Sequence, residues 1–192
     1  MHTTATEVPP AGRQPAPGSL RIVQRLVNTL DVETGEDDLA DPAHLRAWLV
    51  DADLIDPNDH VDQAARERLK SVREAFREIL GAHTGASVDP AAEALLQREM
   101  CTLEVKIDAG GVRLVPAGEG VDRAVAALLS AVAEASLTGT WRRLKVCREH
   151  TCRFAFYDHS KNGSGCWCDM AVCGNRAKAR RYRERARGAV PS

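Results

Sequence analysis

The sequence predicts a mainly α-helical protein with one small β-hairpin, an α+β chain that ends in a compact four-cysteine module. Apolar residues recur at spacings of three and four between Val61 and Leu80, as in a helix with one buried side. Apolar and polar residues alternate over 103–107, and a Gly-Gly turn then leads into a second apolar run, which is typical of a hairpin. Two Cys-x4-Cys pairs, at 147–152 and 168–173, indicate the module.

Length and composition divide the chain into three parts. A chain of 192 residues can hold one domain of moderate size and a small module. Residues 1–18 contain four prolines and few apolar side chains, a composition that favours disorder. We therefore expect a disordered tail over 1–18, a helical domain over 19–140 and the cysteine module over 141–192.

Two short helices are predicted at the start of the helical domain. The first covers residues 20–30 and is followed by an acidic loop over 35–38. Asp41-Pro42 then places a capping carboxylate before a proline at the first helical position, so a second helix is expected to begin there. Its apolar side contains Leu45, Trp48 and Leu49.

The third helix has the clearest apolar pattern, and either Gly81 or Gly85 is expected to end it. Charged residues are expected on its outer side: Arg66, Glu67, Arg73, Glu74, Arg77 and Glu78. Asp89-Pro90 repeats the start signal for a fourth helix, predicted to end near Met100.

The β-hairpin is expected near residues 102–115, and Cys101 just before it is expected to be a buried core thiol. An alanine-rich helix is predicted over 121–136. Residues 140–146 are predicted to link it to the cysteine module as an extended segment or short strand.

Charge is distributed unevenly along the chain. Residues 1–140 carry 13 Lys and Arg against 23 Asp and Glu, a net charge of −10, whereas residues 141–192 carry 13 against 4, a net charge of +9. A basic end beside an acidic body favours binding of a polyanion, although the two parts could simply attract each other.

Residues 1–19 lack the apolar centre of a signal peptide, and no apolar run is long enough to cross a membrane. We therefore expect a cytoplasmic protein with reduced thiols and no membrane partner.

Four cysteines have the spacing of a metal site. Four thiolates suit Zn²⁺ in a closed tetrahedral site, so Cys147, Cys152, Cys168 and Cys173 are expected to bind one structural Zn²⁺ per chain. Cys166 could replace Cys168 as a ligand or be a bystander; the equal x4 spacing favours Cys168. So small a unit buries little apolar surface, and the metal is expected to supply much of its folding free energy.

The segment between the cysteine pairs is predicted to form a small hairpin with a turn at residues 161–163. Phe154 and Trp167 are expected to form the apolar core of the module. The nearby His150 and His159 are expected to be surface residues, since nothing in the pattern calls for a histidine ligand.

An arginine-rich helix is predicted after the last cysteine. Arg176, Arg180, Arg183 and Arg187 fall on one stripe of such a helix. So many closely spaced arginines are expected to contact phosphates and not to recognise particular bases. Duplex DNA is the expected partner. The residues expected to contact it are Arg176, Lys178, Arg180, Arg181, Arg183 and Arg187. Asn175 and Arg176 could instead be structural, with Asn175 as a cap and Arg176 paired with Asp158 or Asp169.

The module resembles the CGNR-type zinc finger, which ends bacterial proteins described as stress-induced transcription regulators. The resemblance rests on residues 147–154, 156–163 and 167–178, the last of which contains Cys-Gly-Asn-Arg. The amino-terminal part of those proteins is the ABATE domain, and the sequences LVNTL at 26–30 and LRAWL at 45–49 are similar to its opening. The resemblance implies a helical domain, a zinc finger and a role in regulating transcription.

These observations favour a DNA-binding transcription regulator, whose helical domain would sense a small-molecule effector or form a homodimer. The alternative is a zinc-dependent protein-interaction module that does not bind DNA. A small pocket between the helices and the hairpin is compatible with the sequence, which does not define it. We do not expect an enzyme, because four cysteines leave zinc no open position and the sequence contains no nucleophile–base pair or phosphate-binding glycine loop.

Overall fold

A computed structural model describes residues 14–99 and 101–188, and most of this part of the chain is helical or forms two small antiparallel sheets. The predicted α+β class is confirmed. Its helices are α1 (Leu20–Val27), α2 (Pro42–Asp51), α3 (Gln63–Ala82), α4 (Pro90–Arg98), α5 (Gly120–Leu137) and α6 (Asn175–Gly188). Its strands are β1 (Leu103–Asp108), β2 (Gly111–Pro116), β3 (Leu144–Val146) and β4 (Ala155–Tyr157); a 3₁₀ turn (Trp141–Arg143) precedes β3, and a π-helical turn (Met170–Gly174) precedes α6.

Both Asp-Pro start signals are confirmed. Asp41 accepts hydrogen bonds from the backbone N–H groups of Ala43 and His44, and Asp89 accepts one from Ala91. The fourth helix ends at Arg98, and the predicted end at Met100 lies outside the described residues.

The first helix is shorter than predicted. It ends at Val27, because Thr29 turns back and its hydroxyl donates to the carbonyl of Leu26. The chain then forms a loop over residues 28–38 that is closed by a bridge between Leu30 and Asp37. This loop carries the acidic segment toward the cysteine module.

Helix α3 lies at the centre of the fold and contacts α1, α2, α4 and β3. Its apolar side is buried as predicted, but two of the six charged residues expected on its outer side are buried too. Arg73 and Arg77 are buried, because each guanidinium finds partners inside the fold. Arg73 bonds to Asp37, and Arg77 donates to the backbone carbonyls of Val27 and Arg153.

A single apolar core continues across the predicted boundary near residue 140. Side chains of β3 and β4 belong to the same buried cluster as those of α1, α3 and α5. The four that come from the strands are Leu144, Val146, Ala155 and Tyr157. The cysteine module is therefore built onto the helical body through its sheet.

The sheet of the cysteine module differs from the predicted hairpin. Strand β4 pairs with β3, which precedes Cys147, so the loop between the two strands contains the first cysteine pair. The segment after β4 does not return as a strand. Arg143 and Lys145 hold it by donating to its carbonyls at Asp158, Ser160, Gly163 and Gly165.

The other sheet is the predicted hairpin, in which β1 and β2 pair from Leu103–Pro116 to Asp108–Gly111. Its base packs on α5, while Val105, Ile107 and Val112 near its tip are exposed. Cys101 is exposed as well, so the prediction of a buried core thiol was wrong. The chain at that point runs along the surface beside the base of the hairpin, where Thr102 bonds to Ala117.

The predicted tail lies mostly outside the described residues, which begin at Gln14. Its last part departs from the expectation of disorder. Ala16 is buried in the main core, and its backbone N–H donates to the side chain of Gln24 at 2.7 Å. Among the described helices, none combines the length and apolar character needed to cross a bilayer.

Candidate metal centre and nucleic-acid interface

The thiols of Cys147, Cys152, Cys168 and Cys173 converge, with their sulfur atoms all within 4.8 Å of one another. The Sγ atoms of Cys152 and Cys168 are 3.4 Å apart, and those of Cys168 and Cys173 are 3.6 Å apart. Zn–S bonds of about 2.3 Å in a tetrahedron separate sulfur atoms by roughly 3.8 Å. The four residues therefore fit one zinc ion with no protein ligand missing.

Local hydrogen bonds shape the first cysteine pair into a knuckle. Cys147, directly after β3, donates its backbone N–H to the carbonyl of Phe154, which closes the loop. The carbonyl of Glu149 accepts from the N–H groups of Cys152 and Arg153. Arg153 adopts a left-handed backbone with φ of 48°, and its side chain pairs with Glu78 of α3.

The second cysteine pair is shaped by a helix start. Asp169 accepts hydrogen bonds from the N–H groups of Ala171 and Val172, so the chain turns directly after Cys168. The π-helical turn that follows carries Cys173 back toward the other sulfur atoms and continues into α6. The metal site and the basic helix are thus parts of one continuous segment.

The structure distinguishes between the candidate ligands near the second pair. Cys166 lies outside the convergent group, and its thiol is 3.4 Å from the carbonyl oxygen of Ser164. His150 and His159 are exposed, as predicted. Phe154 and Trp167 pack around the cysteines as predicted, together with the buried Phe156.

Crowding makes the four thiols unequal. Hydrogen bonds from Cys152 and Cys168 lower the pKa of Cys147, whereas the same contacts raise the pKa of Cys152 and Cys168. Burial raises the pKa of Cys173. Four crowded sulfur atoms cannot all ionise without a positive charge between them, and a divalent cation supplies that charge as it replaces the protons.

A buried ion pair supports the loop that leads to the second cysteine pair. The Nζ of Lys145 lies 2.8 Å from Asp158, and each of the two side chains is 4% exposed. Burial alone would raise the pKa of Asp158, but hydrogen bonds from Lys145, Ser160 and Gly165 outweigh it and hold that pKa well below its usual range.

Two of the arginines predicted to contact DNA are bound to carboxylates. Arg180 donates to both oxygens of Glu149, whose side chain is buried in the first knuckle. Arg176 pairs at 3.0 Å with Glu33 of the 28–38 loop, in place of the suggested Asp158 or Asp169. Asn175 is the first residue of α6, and its side-chain amide donates to the carbonyl of Ala171.

The other four predicted contacts are Lys178, Arg181, Arg183 and Arg187, and all of them are exposed. Arg185, which was left out of that set, is exposed as well. Helix α6 carries seven cations and a single carboxylate, Glu184. The ion pairs of Arg176 and Arg180 fix the start of α6 to the body of the protein. The rest of the helix, residues 181–187, is exposed and positively charged.

Contacts between the module and the helical body were not predicted from the sequence. The side chains of Gln24 and Asn28 hydrogen-bond to Ala155 of β4, and Arg77 donates to Arg153 in the first knuckle. Asn28 lies within the LVNTL segment that is similar to the opening of the ABATE domain, but that similarity assigned no role to Asn28.

One cavity borders these contacts at Asn28, and another borders α1 at residues that do not make them. A cleft of about 380 Å³ separates the 28–38 loop from the cysteine cluster, and its lining includes Asp31, Glu36, Asp169 and Arg176. A second cavity of about 350 Å³ lies between α1, α5 and β2, at the place where a pocket between helices and hairpin was considered. Its walls are formed by residues such as Ile22, Leu54, Leu114, Pro116 and Ala127.

The convergent cysteines and the helix that follows them define a zinc-finger protein with a closed, structural metal site. Residues 143–186 match the CGNR zinc finger, which we call the finger below. Residues 20–142 match the ABATE family, described as "putative stress-induced transcription regulator", and the chain belongs to this family. The two matched families are of the regulator and zinc-finger types. No curated protein matches the chain.

Proposed function

We propose that the protein is a transcription regulator that binds DNA through the finger and α6. The observation that carries this proposal is the exposed, cationic part of α6, held in place by a metal centre and by the pair between Arg180 and Glu149. A helix fixed at one end offers a row of cations in a defined direction, which is what binding to a charged backbone requires.

The role of zinc in this proposal is structural. Because Cys173 and α6 are joined by one turn, the ion fixes the direction in which the helix leaves the body. The four thiolates complete the coordination shell, so this centre supports positioning rather than hydrolysis or another zinc-dependent reaction. We therefore propose that the protein is not an enzyme.

The helical domain is proposed to control the finger, either as a sensor or as a dimerisation unit. The cavity between α1, α5 and β2 has the size for a small-molecule effector, and it borders α1, whose C-terminal cap Asn28 contacts the finger. The exposed apolar side chains near the hairpin tip are the feature that supports a homodimer.

Titration of labelled duplex DNA of mixed sequence with the zinc-loaded chain, at two salt concentrations, tests the DNA proposal. We expect binding that weakens steeply with salt, because each neutralised phosphate releases a counterion. A variant with Arg181, Arg183 and Arg187 changed to Gln should bind at least tenfold more weakly, whereas Arg142→Gln, in an exposed position outside α6, should bind normally. A folded, zinc-loaded protein that binds no duplex at low salt would contradict the proposal.

The second candidate function is a protein-interaction module, and the pairs of Arg176 and Arg180 with carboxylates favour it. A helix that already binds Glu33 and Glu149 within its own chain can also bind an acidic surface of another protein. A partner that is retained after nuclease treatment and lost in the same triple Gln variant would support this candidate.

A further inference from the structure

Helix α6 leaves the body after its first turns. Ala177 is buried and Arg180 is half-buried, but every residue from Arg181 to Arg187 is exposed. The helix has 14 residues, which corresponds to a length of about 21 Å. Much of that length is therefore available to a partner.

The side of α6 that faces the body is fixed by Ala177 and by the pair between Arg180 and Glu149. With 3.6 residues per turn, the opposite side carries Ala179, Tyr182 and Ala186. These three residues form what we call the outer stripe. Its central residue, Tyr182, is 75% exposed and is not needed for packing.

The outer stripe lies between two rows of cations. Lys178 and Arg185 border it on one side, and Arg183 and Arg187 border it on the other. Glu184, the carboxylate of this helix, falls on the side that faces the body. The outer stripe thus combines small side chains, one aromatic ring and positive charge on both flanks.

We infer that the outer stripe enters the major groove of duplex DNA and that Tyr182 determines sequence preference there. This inference rests on the proposed function, that α6 binds DNA. Ala179 and Ala186 allow the helix backbone to approach the base edges closely, and the ring of Tyr182 lies where it meets an edge or a thymine methyl group. The two rows of cations match the two phosphate backbones that border the groove.

The shape of the groove separates DNA from other polyanions. The major groove of B-DNA is wide enough for a helix, whereas that of an RNA duplex is deep and narrow. A purely electrostatic contact would bind both duplexes similarly. We therefore expect the chain to bind duplex DNA at least tenfold more tightly than duplex RNA of the same length.

Selection from a random duplex DNA library with the full, zinc-loaded chain tests the inference. The wild type should enrich a short motif. Tyr182→Ala should lose the preference at one or two adjacent base pairs while its affinity for mixed DNA changes less than about threefold. Arg183→Ala should keep the motif, bind all duplexes more weakly and lower the salt slope by about one. Ala179→Leu, which keeps helix propensity but adds bulk, should weaken binding to the motif about tenfold.

The outcomes separate the two ideas. If the wild type binds no duplex DNA, the proposed function fails and the inference fails with it. If the wild type binds duplex DNA but enriches no motif, binds duplex RNA equally well, or keeps its motif in Tyr182→Ala, only the inference is overturned. Circular dichroism and zinc content of each variant show that the helix and the metal centre are intact.

Discussion

The side-chain amide of Asn28 pairs with both backbone polar groups of Ala155. Its Oδ1 accepts from the N–H at 2.7 Å, and its Nδ2 donates to the carbonyl at 3.0 Å. Ala155 lies on β4, an edge strand whose outward backbone groups would otherwise need water. Asn28 therefore takes the place of a third strand and attaches the sheet of the finger to the end of α1.

Asn28→Ala should destabilise the protein by about 1–3 kcal/mol, because the N–H of Ala155 loses its partner inside the interface. The carbonyl of Ala155 keeps a bond from Gln24, so the loss is confined to one group. Urea unfolding of the zinc-loaded chain measures the change. Asn162→Ala, in an exposed turn, is the matched control and should stay within about 0.5 kcal/mol of wild type.

Asp158→Ala should be among the most damaging single changes outside the cysteines. It leaves the buried ammonium of Lys145 without its counter-charge, which typically costs about 3–5 kcal/mol. The double change Lys145→Met with Asp158→Leu should cost clearly less than Asp158→Ala, because no charge then stays buried. Urea unfolding of wild type, Asp158→Ala and the double variant measures these costs. A double variant as unstable as Asp158→Ala would show that the hydrogen bonds from Lys145 to Gly163 and Gly165, and not its charge, account for the loss of stability.

Stability should fall on mild acidification because of His83. Burial lowers the pKa of His83, which packs edge-on against Trp141 and shares a hydrogen bond with the carbonyl of Leu144. The unfolded chain, with a His pKa near 6.5, binds the proton more readily than the folded chain. The neutral ring therefore stabilises the fold fully above about pH 6.5, and this contribution is lost as pH falls from there toward the lower folded pKa.

Melting temperatures of wild type and His83→Gln between pH 8 and pH 5 test this contribution. Gln still donates to Leu144 but does not titrate, so its curve should fall less steeply below about pH 6.5. Acid also weakens zinc binding by thiolates, and this effect is common to both proteins and cancels in their difference. Parallel curves would show that His83 is not the group responsible.

Cys168→Ser should abolish stoichiometric zinc binding, whereas Cys166→Ser should keep one zinc ion per chain. The convergent sulfur atoms include Cys168, and the thiol of Cys166 is directed to Ser164. Zinc analysis of the purified proteins measures this directly. Thiol counting gives a second readout: with six cysteines in the chain and four bound to zinc, two should react before chelation and all six afterwards.

Local signals in the sequence were sufficient to predict where α2 and α4 begin and which cysteines converge. The Asp41 and Asp89 caps act on the next few residues, and the ligand pairs each lie within one turn, so spacing alone predicts them. The x4 spacing favoured Cys168 over Cys166, and the coordinates were needed to show that the thiol of Cys166 lies outside the sulfur cluster.

The contacts that could not be predicted join residues far apart in the chain. Asn28 and Ala155 are separated by 127 positions, and Arg77 and Arg153 by 76. The burial of Arg77 could not be predicted from the charge pattern of α3, because two of its partners inside the fold are backbone carbonyls, those of Val27 and Arg153. Glu149 is a further example: its carboxylate is buried and bound by Arg180, which lies 31 positions further along the chain.

The position at which the main core crosses into the finger has an evolutionary consequence. A gene segment cut between residues 142 and 143 would separate Leu144, Val146, Ala155 and Tyr157 from the helices that cover them. Recombination at that point would leave both products with uncovered apolar surface, which favours aggregation. Selection should therefore keep the two segments linked during inheritance, and we expect the finger to be transferred to new proteins only together with a helical partner of matching shape.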